Sequence, residues 1–414
     1  MRKLKYLLTL ILTALLTCGA AGIPLQAEED LRGLASTYVC LIDGDTGNIL
    51  YSLQGDEQMY PASMTKVMTA IIAIEQNDDL KRTYQLLDDV YIPLTDTGAS
   101  MAGFALYDSP TIEDLLYGLL IPSGAECANG LAIATSGSVE AFVDEMNRKA
   151  QEIGMYSTHF CNPHGLHEYD HYSTCHDLTL LMRYCLQNET FRRIISAKEY
   201  TSTPVLSNLQ GLHMQKMLVD AIYTEVPGFI GGKTGYTPDA GRCLVSAAEV
   251  QGMNLILATG LSYYEYGPQD DAMRIYKWAQ ETYAIRPVVT SGRDLVSINV
   301  EDADQHDSLI RLQTEDDMEM LLNRNAVIRE ETEFPTELTA PLAEGTELGT
   351  YRVYADDELV YEKTYYLDHM IDQTPVAKMR DFIRNNPGVI AFYGAALIVI
   401  LVFIPSFIRS HIGR

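Results

Sequence analysis

Cysteine is scarce in this 414-residue chain: seven residues, too few to build a disulfide scaffold. Positive charge is scarce as well, with 30 Lys and Arg against 56 Asp and Glu, for a net charge of −26. So acidic a body repels phosphate backbones, which excludes nucleic acid as a partner. It also disfavours adsorption of the folded body to anionic lipid. The paired C-x-x-C signature of zinc sites is missing, and there is no internal repeat or low-complexity linker. What remains is ordinary globular composition, 47% hydrophobic, on a chain long enough for about two domains.

Long apolar runs occur only at the two ends. Arg2, Lys3 and Lys5 precede an apolar run from Tyr6 to Thr17, then small residues to Ala27. This order of basic, apolar and small residues predicts a secretory signal over residues 1–27, cut after Ala27. Lipidation at Cys18 is the alternative, but Thr17 is a poor residue before a lipidated cysteine. At the other end no charged residue falls between Asn385 and Ile408. At about 1.5 Å per residue such a run spans a hydrocarbon core of roughly 30 Å. A transmembrane helix is expected over 387–408, with Arg409 and Arg414 in a cytoplasmic tail, 409–414. An interfacial helix fits less well, because Leu397 to Phe403 offers no polar face. The expectation is a body outside the cytoplasm, tethered to the cell membrane through a C-terminal helix.

Between the ends the pattern changes once. Over 36–284, TYVCLIDG and NILYSLQG read as a hairpin around Asp43 to Asn48, and Met64 to Glu75 as a buried helix. Thr111 and Asp114 form a capping-box start for a helix through Leu120. CLVSAAEV and MNLILATGL flank Gln251-Gly252 as a second hairpin, followed by the amphipathic DDAMRIYKWAQETY. Strands at both ends with helices between predict an α/β fold, an antiparallel sheet between helices. Over 286–367, short alternating runs such as LVSINV and TYRVYA predict a small all-β domain. Its acid-rich stretch at 301–320 reads as a solvated face.

The chemistry begins at Ser63-Met64-Thr65-Lys66, an S-x-x-K string at the start of the buried helix. The spacing puts Lys66 one turn from Ser63 on the same face. A serine needs a base to become a nucleophile, and a lysine serves only if burial or a neighbouring cation lowers its pKa. The helix N-terminus adds N–H groups for a developing oxyanion. Lys233-Thr234-Gly235 lies in GFIGGKTGYTPDAG, just before a strand. A phosphate loop would need Gly six residues before Lys233, where Pro227 stands. Ser123-Gly124 follows the capped helix directly.

In this order, YPASMTK, TIEDLLYGLLIPSG, NPHGL (Asn162 to Leu166), HYSTCHDL (His171 to Leu178) and GGKTGYTPDAG resemble the low-molecular-mass penicillin-binding proteins. The likeness is to serine D-alanyl-D-alanine carboxypeptidases, peptidase family S11. It implies a β-lactamase/transpeptidase-like catalytic domain followed by a small all-β domain. It implies that Ser63 attacks the penultimate D-Ala carbonyl of a peptidoglycan stem pentapeptide, releasing terminal D-Ala through an acyl-enzyme. Lys66 would be the base and Ser123 the proton relay. Lys233, Thr234, Gly235 and Thr237 would bind substrate, with Arg242 a further candidate. Backbone N–H groups of Ser63 and Tyr236 would form the oxyanion hole. β-Lactam antibiotics would acylate Ser63, and no cofactor or metal is implied.

Two departures stand out. Ala125 occupies the place where the family's second motif, Ser-x-Asn, has Asn. The apolar C-terminal span also differs from the amphipathic anchor of many relatives. Two rival readings come from the same motifs: a serine β-lactamase, for which no E-x-x-L-N string is found between the second and third motifs, and a non-catalytic wall-binding scaffold. A metallo-enzyme is a third rival, because His159, His164, His167, His171 and His176 crowd one segment. That segment is expected to be a His-rich structural loop. Cys40, Cys127, Cys161, Cys175, Cys185 and Cys243 remain after signal removal, and the sequence does not choose among their possible pairings; Cys127 and Cys243, near the second and third motifs, are expected to be buried free thiols.

Overall fold

The computed structural model of the chain describes residues 31–216 and 220–411, with side chains except at 220 and 402–411. The leader expected at 1–27 lies outside the described residues, as do the side chains of the expected tail at 409–414. The chain divides into two compact units, Met1–Ala284 and Ile285–Arg414.

In the first unit, β1 (Ser36–Asp43) and β2 (Ile49–Leu53) form the expected hairpin. A 3₁₀ turn, Ala62–Thr65, leads into α1 (Lys66–Glu75). Then come α2 (Ile112–Leu120), α3 (Ala125–Ser136), α4 (Val139–Ile153), α5 (Cys175–Leu186) and α6 (Glu189–Ile195). A short hairpin of β3 (Glu199–Thr201) and β4 (His213–Gln215) precedes β5 (Phe229–Thr237), β6 (Gly241–Val250), β7 (Met253–Ser262) and α7 (Gly267–Thr282). The main sheet is antiparallel with order β2-β1-β7-β6-β5.

That sheet is covered on both faces, which is why β6 and β7 read as continuous apolar runs. Successive strand residues point to opposite faces. Val245 and Ala247 join the cluster that holds Leu178 and Met182 of α5, whereas Ser246 Oγ meets Tyr276 OH of α7 at 2.9 Å. Gln251 and Gly252 both take positive φ, 52° and 80°, the backbone that a two-residue hairpin turn demands. Thr111 and Asp114 close the capping box of α2 reciprocally. α1 is buried from Lys66 to Ala73, consistent with its apolar circumference. β5 is an outer strand, so one of its edges is open to a ligand.

Tyr283–Val289 (β8) crosses the division between the units. The second unit continues with β9 (Asp294–Glu301), β10 (Leu309–Gln313), β11 (Met318–Asn323), β12 (Ile328–Glu333), β13 (Glu337–Thr339), β14 (Glu347–Ala355) and β15 (Glu358–Tyr366). Small sheets of order β10-β9-β13 and β12-β14-β15 enclose Ile298, Val300, Leu348, Tyr351 and Val353. The acid-rich stretch is a solvated face with local partners: Lys363 lies 2.8 Å from Glu315 and 2.9 Å from Asp316.

Sequence pattern predicts no element over 368–386, yet α8 (Pro375–Asn385) forms there, capped by the Thr374 side chain. It leads into α9 (Pro387–His411). Among the described residues no single helix is long and apolar enough to cross a membrane. α8 and the described part of α9 meet that criterion only together, as a pair bent by 95°.

Candidate active site

Ser63, Lys66, Ser123, Lys233, Thr234, Gly235 and Thr237 all line one cleft of about 390 Å³ beside β5. The motifs lie far apart in sequence and meet because the 3₁₀ turn, the α2–α3 corner and β5 converge on it.

Ser63 sits in the 3₁₀ turn and Lys66 opens α1, so the i, i+3 spacing stacks them on one face. Lys66 Nζ lies 2.9 Å from Ser63 Oγ and 2.5 Å from His164 O. Lys66 is 2% exposed. Burial first and the nearby Lys233 second hold its pKa well below the usual lysine range, opposed by Glu126 and Cys127. A neutral amine can donate to His164 O and still turn its lone pair to Ser63 Oγ.

The acceptor His164 O belongs to the NPHGL loop, which is fastened under α1. Thr69 Oγ1 donates to Pro163 O at 2.6 Å, and Gly165 N donates to Asn162 Oδ1 at 2.7 Å. Gly165 has φ +81°, and a Cβ there would fall 1.9 Å from Ala62 O, so glycine is required by both conformation and space. Burial drives His164 and His171 down to about 3, so both rings are neutral. His171 Nδ1 accepts from Cys161 N at 3.0 Å; its proton therefore sits on Nε2, which donates to Thr65 Oγ1 at 2.8 Å.

Ser123 stands at the α2–α3 corner with φ 70°, a conformation uncommon for a non-glycine residue. Its buried Oγ has no hydrogen-bond partner among the described residues. Ala125 begins α3 and its backbone N donates to Ser100 O at 2.8 Å. The next residue, Glu126, turns away as its helical position dictates: Oε1 accepts from Ala102 N at 2.6 Å and Gly103 N at 2.9 Å. Burial is the main influence on that carboxyl and pushes its pKa up.

Lys233 on β5 is 2% exposed. Its Nζ donates to Thr234 O at 2.9 Å, and burial lowers it to about 8. A Cβ on Gly235 would lie 3.0 Å from Ser63 N and 2.6 Å from Cys243 Sγ, so only glycine keeps the gap between the serine and the strand open. Thr237 Oγ1 accepts from Ala240 N at 3.0 Å. The Arg242 guanidinium lies over the Tyr236 ring, 4.9 Å from its centroid.

The catalytic unit and the second unit each match a family model: "D-alanyl-D-alanine carboxypeptidase" over residues 25–259 and "Penicillin-binding protein 5, C-terminal domain" over 285–373. The chain belongs to peptidase family S11, the serine-type D-alanyl-D-alanine carboxypeptidases. It is similar to D-alanyl-D-alanine carboxypeptidase DacF of Bacillus subtilis, 29% identical over 78% of this chain and 82% of that one. The D-alanyl-D-alanine carboxypeptidase of Streptomyces sp. strain K15 is 31% identical over 67% of this chain and 99% of that one. In fold, the chain resembles penicillin binding protein 5 from Haemophilus influenzae, with a TM-score of 0.62, 22% identity, and coverage of 82% and 98%. Like the rest of its family, this carboxypeptidase acts on peptidoglycan.

Two further groups that no motif announces shape the cleft, one lining it and one bonded behind its wall. Lys216, next to β4, is 6% exposed and lines the cleft wall. Its Nζ donates to Ile195 O at 2.8 Å. A Cβ on Gly231 would lie 2.3 Å from that same oxygen, which fixes Lys216 beside β5 two residues before Lys233. Burial and the Lys233 charge lower Lys216 to about 7. Glu126 is the other group; its two backbone bonds pin the segment whose residues Gly98 to Ser100 form the facing wall. Neither has a local sequence signature. The six cysteines of the described residues are all free thiols, five of them buried.

Proposed function

We propose that Ser63 is the nucleophile, Lys66 its general base and Ser123 the relay to the leaving group. Ser63 Oγ attacks the penultimate D-Ala carbonyl and its proton passes to Lys66 Nζ. The oxyanion is held by the backbone N–H groups of Ser63 and Tyr236. The C–N bond then breaks, the amine of terminal D-Ala takes a proton through Ser123, and water hydrolyses the acyl-enzyme. Lys233, Thr234 and Thr237 bind the terminal carboxylate, with Arg242 at the margin. The stem peptide lies along the open edge of β5 as an added strand.

The single observation that carries this reading is the buried Lys66 amine at 2.9 Å from Ser63 Oγ, bonded otherwise, among the described residues, only to a carbonyl. With no carboxylate bonded to it and a second cation nearby, the neutral base is the favoured form. The unpartnered Ser123 hydroxyl supports a group waiting for a substrate proton. Release of D-Ala from a synthetic stem pentapeptide tests it with full-length protein in detergent. Wild type should release D-Ala, while folded Ser63→Ala and Lys66→Ala should lose at least about a thousandfold. Comparable release by Ser63→Ala would remove the assignment.

The same proposal takes α8 and α9 as a membrane anchor with the catalytic body outside the cytoplasm. Val376, Met379, Phe382 and Ile383 expose an apolar stripe on α8, suited to lying in the interface. Phe392, Tyr393 and Leu397 to Leu401 are exposed on α9. The sharp bend suits a surface helix followed by an inserted one.

A further inference from the structure

A second constellation lies outside the cleft, on the segment that follows α4. His159 and Tyr172 pair as an antiparallel bridge, with N–H···O distances of 2.9 and 3.0 Å. Cys161, two residues on, shares the His159 face, and Asp170 approaches from the facing strand two residues before Tyr172. One ligand atom from each of the three lies within 4.8 Å of the others. His159 Nδ1 is 3.7 Å from Cys161 Sγ and 3.4 Å from Asp170 Oδ2. A tetrahedral zinc at ordinary bond lengths needs N···S and N···O edges of about 3.6 and about 3.3 Å. Two edges of the tetrahedron are therefore already drawn.

We infer that His159, Cys161 and Asp170 form a binding site for a zinc-class divalent ion, separate from the catalytic cleft, that clamps the two ends of the 161–170 loop. The donor set chooses the ion: thiolate and imidazole select zinc or its soft neighbours, while magnesium and calcium require oxygen cages. Asp170 is exposed and the other two residues are partly so, which leaves water as the fourth ligand. On binding, Cys161 loses its thiol proton to solvent and forms the metal–sulfur bond. His159 Nδ1 here donates to the Asp170 carbonyl at 2.6 Å; on binding, the ring proton shifts to Nε2, Nδ1 turns its lone pair to the ion and the Asp170 carbonyl turns to water. The backbone is held in advance by the His159–Tyr172 bridge and by the Cys161 N–H bond to His171.

The site's place in the chain gives it a consequence. The loop it closes carries His164, whose carbonyl receives Lys66 Nζ. None of the three ligands lines the cleft, so the ion fastens the loop without entering the reaction. The spacing, His-x-Cys and then Asp nine residues on, matches no metal motif in the sequence; the bridge alone unites the three residues.

Cobalt(II) titration of the full-length protein tests the site. Tetrahedral thiolate ligation should give visible d–d bands and a near-ultraviolet sulfur-to-cobalt band, both removed by Zn²⁺ and unaffected by equal Mg²⁺ or Ca²⁺. Cys161→Ser should lose the sulfur band, and Asp170→Asn should weaken cobalt binding at least tenfold. Zn²⁺ should raise the Tm of wild type and not that of Cys161→Ser, while D-Ala release by metal-free Cys161→Ser matches metal-free wild type. No sulfur band in folded wild type, an unchanged band in Cys161→Ser, unweakened binding by Asp170→Asn, or displacement by Mg²⁺ would each overturn the site.

Discussion

Lys66, Lys216 and Lys233 bring three amines out of water around one cleft, and among the described residues none has a carboxylate bonded to it. Their pKa values all fall, with burial the largest cause each time. The activity profile should have an acidic limb where Lys66 becomes neutral. Lys233→Gln removes the second-largest cause of the Lys66 depression, so the limb should move to higher pH as substrate binding weakens. A pH series of kcat/KM on both proteins checks this; an unmoved limb would contradict the coupling. Lys216 lines the cleft wall and when protonated adds to the positive field that draws in the anionic peptide, so Lys216→Met should raise KM for the peptide roughly tenfold below pH 7 with kcat little changed, the size expected for one lost charged contact. Since Lys216 loses its proton near 7, the difference should shrink by pH 9. The stability sign is opposite. A lysine whose folded pKa is depressed binds fewer protons folded than unfolded, so it destabilises most below its folded pKa and less as pH rises toward 10. Lys216→Met should therefore melt above wild type at pH 6, with the gap narrowing at pH 9. Ser63, Lys66, Ser123 and Lys233 are legible in the sequence because each sits in a short motif of fixed spacing. Lys216 is not, because only the folding of β4 against Gly231 and Ile195 brings it to the cleft.

At the scale of elements, the NPHGL loop and the α2–α3 corner set the site. Gly165→Ala would force a Cβ against Ala62 O in left-handed backbone. It should cost about 1–3 kcal/mol of stability, read as a lower Tm, and slow penicillin acylation by displacing the carbonyl that orients Lys66. A normal Tm with normal acylation would mean that the loop is not braced against the nucleophile turn. At the corner, Ala125→Asn would restore a side-chain amide where the family's motif has one. Glu126 gives Oε1 to Ala102 and Gly103 and does not line the cleft, so it cannot stand in. Ala125→Asn should raise peptide turnover by more than penicillin acylation, since the planar peptide depends more on being held over Ser63. Equal or lower peptide turnover would show that another group already holds the substrate. Local chemistry makes the capping box of α2 and both hairpins readable from the residues alone. α8 is hidden because it is short, its apolar stripe is interleaved with Lys378, Arg380, Asp381 and Arg384, and the stronger apolar run of α9 follows it directly. The strand order and the His159–Tyr172 bridge depend on contacts distant in sequence, which periodicity does not encode.

The whole molecule combines an acidic body, net −26 over the chain, with an apolar terminus that carries exposed Phe, Tyr, Leu, Ile and Val side chains. All the motifs precede residue 285, and the terminus follows the β-rich unit. Truncation before Asn385 should therefore yield a secreted, soluble protein with full D-Ala release; membrane association that survives a carbonate wash would refute the anchor. The reaction of the whole chain with its substrate or with a β-lactam comes down to one new bond, at Ser63 Oγ. Full-length protein treated with penicillin, digested and analysed by mass should carry one β-lactam adduct on the peptide containing Ser63. Folded Ser63→Ala should carry none. An adduct on any other residue, or one retained by Ser63→Ala, would contradict the assignment of Ser63 as nucleophile.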